Sequence, residues 1–283
     1  MTRSPRPETP IRALKVRPDR AVELPEQVVT EEPMEIRVAG PGQDAVPVAV
    51  TMRTPGHDFE LAAGFLVTEG LIRPGHIATV GYCDAVADDE ARYNTVTVGV
   101  SVAWSPAAAP ARPFAATSSC GICGKASIDE VEVSCPVVGP APPVPASLIP
   151  QLPARLRRAQ RVFDRTGGLH AAGLFDPTGA VACIREDVGR HNAVDKVAGH
   201  TVLDGGFAPR PPLAGWVLMV SGRVSFEIVQ KAAVCGIGTI AAVSAPSSLA
   251  VTAAQRLGVT LAGFVRGETY NVYSHAERLV LDC

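Results

Sequence analysis

An α/β fold is what this sequence predicts, with a C-terminal domain built on a parallel sheet and a smaller mixed α/β domain before it. Three observations carry that expectation. The apolar runs 216–220, 239–243 and 259–264 are short and bounded by turn residues, as strands covered on both faces are. The segments between them, 224–235 and 247–257, have helical spacing, so two strand–helix–strand units follow one another with right-handed crossovers. Upstream the pattern changes to strict alternation, the mark of strands with one buried face.

Residues 1–26 are rich in proline and arginine without periodicity, which predicts a disordered tail. A small N-terminal domain is expected over 27–116. Met34, Ile36 and Val38 alternate with Glu35 and Arg37, and after the Gly40-Pro41-Gly42 turn Val46, Val48, Val50 and Met52 alternate again, so the two runs read as a strand pair. Thr54-Pro55 opens a helix near Asp58 that carries Phe59, Ala62, Ala63 and Leu66 and stops at Gly70. Val96, Val98, Val100 and Val102 mark a further strand. A Pro/Ala-rich stretch (105–116) leads into a segment with two close cysteines, and seven prolines follow between Pro136 and Pro153. Proline at that density resists regular packing, so 117–146 reads as an exposed loop and linker. The last domain, 147–283, begins with a helix around 151–164. A hairpin follows across the Pro177-Thr178-Gly179 turn, then a helix capped by Asp187 and running to about Val197, then the two crossover units.

Composition narrows the function. The chain has 283 residues, 47% hydrophobic and 19% charged, with a net charge of −2. That balance excludes a duplex nucleic-acid binder, which needs a basic stripe. No apolar run approaches the roughly 20 residues that span a bilayer, and the first 20 residues hold no apolar stretch of the secretory kind. The expectation is a cytoplasmic protein whose seven cysteines are mostly reduced.

Cys120-Gly-Ile-Cys123 places two sulfurs within reach of one reagent. Dithiol redox chemistry, zinc ligation and persulfide relay each use such a pair. Structural zinc is disfavoured, because Cys83, Cys135, Cys183, Cys235 and Cys283 form no second close pair, although His170 or His191 could complete a set. A thioredoxin-like site expects its pair between a strand and a long helix, not after a Pro/Ala tether. Lys125 can favour a thiolate electrostatically. Cys183 and Cys235 lie in apolar stretches and read as packed.

In a parallel sheet, ligands bind beyond the carboxyl ends of the strands. Three loops belong there: Ser221-Gly222-Arg223, Ser244-Ala245-Pro246-Ser247-Ser248, and Val265-Arg266-Gly267-Glu268-Thr269. Helix N-termini offer free N–H groups and arginine grips phosphate bidentately, so this edge suits a phosphate-bearing ligand such as a nucleotide. Single serines at such places are also ordinary helix caps. Neither a Walker A motif nor GxGxxG is present, against a standard nucleotide hydrolase or dehydrogenase. A polar cluster, Arg185-Glu186-Asp187, Arg190-His191-Asn192 and Asp195-Lys196, surrounds the start of the Asp187 helix. His191 and Asp195 are four apart and share a face, a pairing that serves catalysis or structure equally well. His170, in an apolar strand, reads as a core histidine.

Thr117-Ser118-Ser119-Cys120-Gly121-Ile122-Cys123-Gly124, Gly168-Leu169-His170, Glu186-Asp187-Val188-Gly189-Arg190-His191-Asn192-Ala193 with Asp195-Lys196, and Ser221-Gly222-Arg223 together resemble the formate dehydrogenase accessory sulfurtransferase family, FdhD, from about residue 28 onward. The resemblance implies a C-terminal three-layer α/β/α domain like that of cytidine deaminases, in a homodimer. It implies persulfide chemistry on Cys120 and Cys123, with sulfur taken from a cysteine desulfurase. The acceptor it implies is the molybdenum bis(molybdopterin guanine dinucleotide) cofactor destined for formate dehydrogenase. The stretch matching the family's cofactor-binding segment is Phe264, Val265, Arg266, Gly267, Glu268 and Thr269, with Ser221, Gly222, Arg223 and His191 as further candidates. Deaminase chemistry is not implied, since the zinc signature of those enzymes is absent. A dithiol oxidoreductase and a non-catalytic cofactor chaperone are the alternatives.

Overall fold

The computed structural model describes residues 5–83, 92–105, 135–140, 142–203 and 213–281. The chain opens on an antiparallel hairpin, β1 (Glu8–Arg17) and β2 (Arg20–Val29), which forms a two-stranded sheet of its own. This corrects the expectation of a disordered tail over 1–26. Apolar side chains fall on both faces of the ribbon and not in one stripe, so no amphipathic period marks it, and Leu14 and Val16 remain 63% and 70% exposed.

The first mixed sheet has the order β4-β3-β6-β5, from β3 (Glu32–Ala39), β4 (Val46–Arg53), β5 (Ile77–Tyr82) and β6 (Thr95–Val100). The expected strand pair is β3–β4, antiparallel, and β3 also pairs parallel with β6. Helix α1 (Asp58–Thr68) lies on one face, where Leu61, Ala62 and Leu66 meet Met34, Ile36, Val38, Val96 and Val98.

A short β7 (Val144–Pro145) pairs with β14 (Leu279–Val280) and ties the chain end to the start of the second unit. The helix expected over 151–164 is broken: α2 (Leu152–Ala159) and α3 (Arg161–Thr166) meet at Gln160, whose ψ of 73° is not helical. The six-stranded sheet then runs β13-β12-β11-β10-β8-β9, from β8 (His170–Phe175), β9 (Val181–Asp187), β10 (Val217–Val220), β11 (Thr239–Ala242), β12 (Thr260–Arg266) and β13 (Thr269–Ser274). The crossover strands β10, β11 and β12 are parallel, and the outer pairings β8–β9, β8–β10 and β12–β13 are antiparallel.

Strand alternation divides this sheet between two cores. Leu218, Val220, Ile240 and Leu261 face α4 (Arg190–Leu203), α5 (Phe226–Val234) and α6 (Ser248–Leu257). Val217, Met219, Ala241 and Ala262 face Leu152 and Leu156 of α2. Helix α4 starts at Arg190, later than expected. Asp187 is the last residue of β9, and it is fully buried as a junction, not a helix cap.

The two sheets are joined by α1 packing on α4. A Cβ on Gly64 would overlap the backbone of Asp195, and one on Gly199 would overlap the backbone of Glu60. Only glycine permits the helices to approach this closely.

Candidate functional site at the carboxyl edge of the six-stranded sheet

The three loops expected at one sheet edge do stand side by side. Val224 N donates to Ala245 O at 3.2 Å, Ser247 N to Val224 O at 3.0 Å, and Phe264 N to Ser244 O at 3.2 Å. Each loop is therefore hydrogen-bonded to the next. Their local roles differ. Ser247 is the N-cap of α6, its Oγ accepting from Ala250 N. Ser221 is no cap: its Oγ accepts from Ala171 N at 2.9 Å, while Ser221 N donates to Ala171 O at 2.9 Å, which pins β8 to the end of β10. Ser225 holds the N-cap position of α5 without capping it, because its Oγ lies 3.0 Å from His191 Nε2. Glu227 Oε2 is 3.9 Å from the same nitrogen.

The third loop does not enter a helix. Val265 and Arg266 still belong to β12, Val265 is buried, and Gly267 at φ 55° with Glu268 makes the tight turn into β13. Phe264 itself sits at φ 53°, a left-handed conformation rare for an aromatic residue, and its ring is 40% exposed. The Arg266 guanidinium stands 5.9 Å from the centre of that ring. An exposed aromatic face with a cation beside it, on a hairpin projecting past the sheet edge, can take a planar ring and an adjoining anionic group.

The N-termini of α4, α5 and α6 all lie at this edge, with Arg190 at the first, Arg223 in the loop before the second, and Arg266 at the end of β12. His170, expected in the core, is half-buried at the same edge. Burial, and then the Arg190 charge, lower its pKa, opposed by Asp187. A Cβ on Gly222 would stand 3.3 Å from its Nδ1.

The polar cluster on α4 is mostly structural. Asp195 does not pair with His191. It is buried and meets Lys231 Nζ at 2.8 and 3.0 Å and the Thr68 hydroxyl at 2.7 Å. Successive turns of α4 face different neighbours: its start looks at the sheet edge, its middle at α1. Asp187 accepts from Thr54 N, Gly189 N and Asn192 Nδ2, and Lys196 Nζ lies 2.7 Å from its Oδ2. Asn192 also donates to Met52 O, and Lys196 to Thr54 O. Much of the Glu186–Lys196 motif thus fastens the first sheet to the second.

A cleft of about 480 Å³, lined by His57, Asp58, Phe59, Glu60, Tyr82, His200 and Leu203, opens over the α1–α4 seam. Burial alone would raise the Glu60 carboxyl, but hydrogen bonds from Arg185, His200 and His57 hold it well below the usual carboxylate range. Sequence reasoning missed this group, because its members come from α1, β9 and α4 with no local signature.

Cys120 and Cys123 lie outside the described residues. Described residues flank them: Trp104 Nε1 donates to Leu71 O, and Cys135 packs against α5 with Sγ 3.7 Å from Gln230 O. Cys183 is buried, and burial pushes the Cys235 thiol up to about 12, so that side chain stays a thiol at neutral pH. Among the described residues no cluster of three or more His, Cys, Asp or Glu could hold a metal ion, and no helix is long and apolar enough to cross a membrane.

Comparison with known proteins agrees with this architecture. The chain is 48% identical to the "Sulfur carrier protein FdhD" of Streptomyces avermitilis over 279 residues, covering 95% of each chain. It is 48% identical to the protein of the same name from Mycobacterium tuberculosis, covering 92% of this chain and 94% of that one. A crystal structure assigned as a candidate formate dehydrogenase accessory protein from Desulfotalea psychrophila superposes with a TM-score of 0.75 at 25% identity, over 97% of this chain and all of that one. Residues 29–280 match the FdhD/NarQ family, and the chain belongs to it.

Proposed function

We propose that this chain is a sulfur carrier in formate dehydrogenase maturation. In this reading it accepts sulfane sulfur from a cysteine desulfurase as a persulfide on Cys120. It passes that sulfur to the molybdenum bis(molybdopterin guanine dinucleotide) substrate held at the carboxyl edge of the six-stranded sheet. Family membership supports the carrier role, as do relatives named sulfur carrier proteins across nearly the whole chain. The observation that carries the choice of substrate edge is the exposed Phe264 ring with Arg266 beside it, adjoining the Arg223 loop. A guanine base stacks on the aromatic face, and arginine takes the phosphates.

The chemistry balances without an added oxidant. The Cys120 thiolate attacks the terminal sulfur of the donor persulfide; its new S–S bond replaces the donor's, and the donor cysteine leaves as thiolate. Cys123 then assists delivery. Its thiolate attacks Cys120 Sγ, the two cysteines form a disulfide, and the outer sulfur leaves as hydrosulfide to the substrate's metal; an external thiol reductant then returns the disulfide to two thiols before the next round. Cys135 follows Cys123 by twelve positions, and a chain of that length reaches up to about 40 Å. A homodimer, as the family resemblance implies, places two such edges in one particle for the two guanine groups. Cytoplasmic location and a deaminase-like C-terminal domain belong to the same reading.

The test loads Cys120→Ser and Cys123→Ser variants with a cysteine desulfurase and cysteine. Bound sulfur is read by intact mass, and client activation by formate dehydrogenase activity. The expected result is loss of loading and activation in Cys120→Ser, with loading kept in Cys123→Ser. Loading and activation by Cys120→Ser but not by Cys123→Ser reverses the assignment. Full function of both variants replaces sulfur relay with cofactor chaperoning.

A further inference from the structure

At the β8 end of the same edge, the charged residues around Arg190 are almost all engaged. Glu186 accepts from Val162 N and Phe163 N, and Arg185 is bound by Glu60. Asp187 and Lys196 satisfy each other beside the seam, Asp195 is held by Lys231, and His191 meets Ser225. Arg190 is the exception. Its Nε is buried without a hydrogen-bond partner, and its guanidinium makes no ion pair among the described residues. His170 is in the same position: its imidazole has no hydrogen bond among the described residues, although it is half-buried. The two side chains meet around Gly222, whose Cβ would lie 3.3 Å from His170 Nδ1 and 3.8 Å from Arg190 Cδ.

A buried donor left unsatisfied costs about 1–3 kcal/mol, so native structures rarely strand one without a purpose. Here one such donor, Arg190 Nε, stands beside a half-buried imidazole that has no hydrogen bond among the described residues, at the open end of a sheet where three helix N-termini gather, against a glycine that leaves them room. We propose that Arg190 and His170 form a binding subsite for a phosphoryl group of the nucleotide-bearing substrate. The subsite is separate from the Phe264–Arg266 hairpin and lies at the β8–β10 side of the edge. The guanidinium fork supplies paired donors to two phosphate oxygens. The imidazole, neutral at pH 7 through burial and the neighbouring Arg190 charge, adds one N–H without needing a counter-ion. Gly222 lets the ligand approach the backbone between them. This assignment rests on the nucleotide reading of the edge and names the phosphate contacts within it.

The experiment is calorimetry on the full chain with three probes: guanosine 5′-diphosphate, guanosine and inorganic pyrophosphate. Wild type is expected to bind the diphosphate more tightly than guanosine. Arg190→Gln should weaken the diphosphate roughly tenfold to hundredfold and leave guanosine unchanged, since a hydrogen bond to a charged group is lost. Gly222→Ala should act in the same direction by displacing the imidazole. Because Arg190 makes no side-chain hydrogen bond or ion pair among the described residues, Arg190→Gln should melt no lower than wild type, unlike the loss of a structural arginine. Arg190→Lys, which keeps the charge and loses the fork, provides a second folded variant and should recover only part of the affinity. Equal diphosphate affinity in wild type and Arg190→Gln overturns the proposal, and so does an equal loss for diphosphate and guanosine. If wild type binds neither nucleoside probe, the nucleotide reading fails. The subsite is then judged on pyrophosphate alone, where a shift of the His170 ring resonances in wild type but not in Arg190→Gln upholds it, and no shift rejects it.

Discussion

Replacing Lys231 with methionine should destabilise the protein by about 3–5 kcal/mol, because a buried carboxylate would lose the one cation in direct contact with it among the described residues. Lys231 Nζ lies 2.8 and 3.0 Å from the two Asp195 oxygens, 3.0 Å from Thr68 Oγ1 and 3.0 Å from Glu69 Oε1, and Asp195 is 2% exposed. After substitution the Thr68 hydroxyl at 2.7 Å is the remaining close donor to Asp195. Against a total stability of about 5–15 kcal/mol the loss is large. With about 2–4 °C per kcal/mol for a chain of this size class, the melting temperature should fall by roughly 10 °C. Burial already pushes the Asp195 carboxyl up, with Lys231 and Thr68 pulling it back. Removing Lys231 removes the main restraint, so the folded variant holds its proton at a pH where the unfolded chain has ionised. A raised carboxyl pKa leaves stability intact below the unfolded value of about 3.9 and erodes it as pH rises above that. The deficit of Lys231→Met relative to wild type should therefore shrink between pH 7 and pH 4. Urea denaturation followed by circular dichroism at both pH values measures it. The double variant Lys231→Met/Asp195→Leu should recover most of the loss, since an apolar pair replaces an ion pair at little cost. A single variant within about 1 kcal/mol of wild type at pH 7 would refute the reasoning, being no more than an exposed ion pair is worth.

Arg266→Ala should weaken guanine-nucleotide binding by about 1.5–3 kcal/mol, the value of a hydrogen bond to a charged group, and unchanged calorimetric affinity would remove Arg266 from the site. Glu60→Gln should cost about 1.5–3 kcal/mol at pH 7, because charge-assisted bonds from Arg185 and His200 lose their anion. Since the folded carboxyl is held low, that stability is present above the unfolded value of about 4.3 and is lost as pH falls below it. The Glu60→Gln deficit should thus diminish in acid, and a deficit constant from pH 7 to pH 3 would contradict the assignment.

The sequence made the second sheet readable because each crossover strand is largely apolar and each crossover helix is punctuated by serine or glycine. Such local signals survive in a linear reading. The hairpin at 8–29 was not readable, because Ile11, Leu14, Val16, Val22 and Leu24 spread over both faces and its prolines resemble those of a tail. The loops at the carboxyl edge were placed correctly by topology alone, since parallel strands send their exits to one side. Individual side-chain roles were less accessible. His191 and Asp195 share a helical face in projection, yet the helix sits between two sheets, and one turn separates an edge residue from a seam residue. His170 reads as core because its neighbours are apolar, but it is the first residue of β8, where the strand emerges. Arg190 stands out in sequence only as one member of a polar cluster. What distinguishes it is that almost all the charges around it find partners elsewhere among the described residues.

The glycine crossing of α1 and α4 bears on how the protein can work. Gly64 and Gly199 bring the two helix backbones into contact, and the Asp195–Lys231 and Asp187–Lys196 pairs lie along the same seam. Swinging the sheets apart would strip these four buried charged groups of their Thr54, Thr68 and Glu69 partners before water could reach them. A hinge at that line is therefore closed to ordinary thermal motion, and the two sheets travel as one frame. Any gating of the proposed substrate edge then falls to chain segments outside the frame, and a mutation that loosens the seam would be felt first as lost stability.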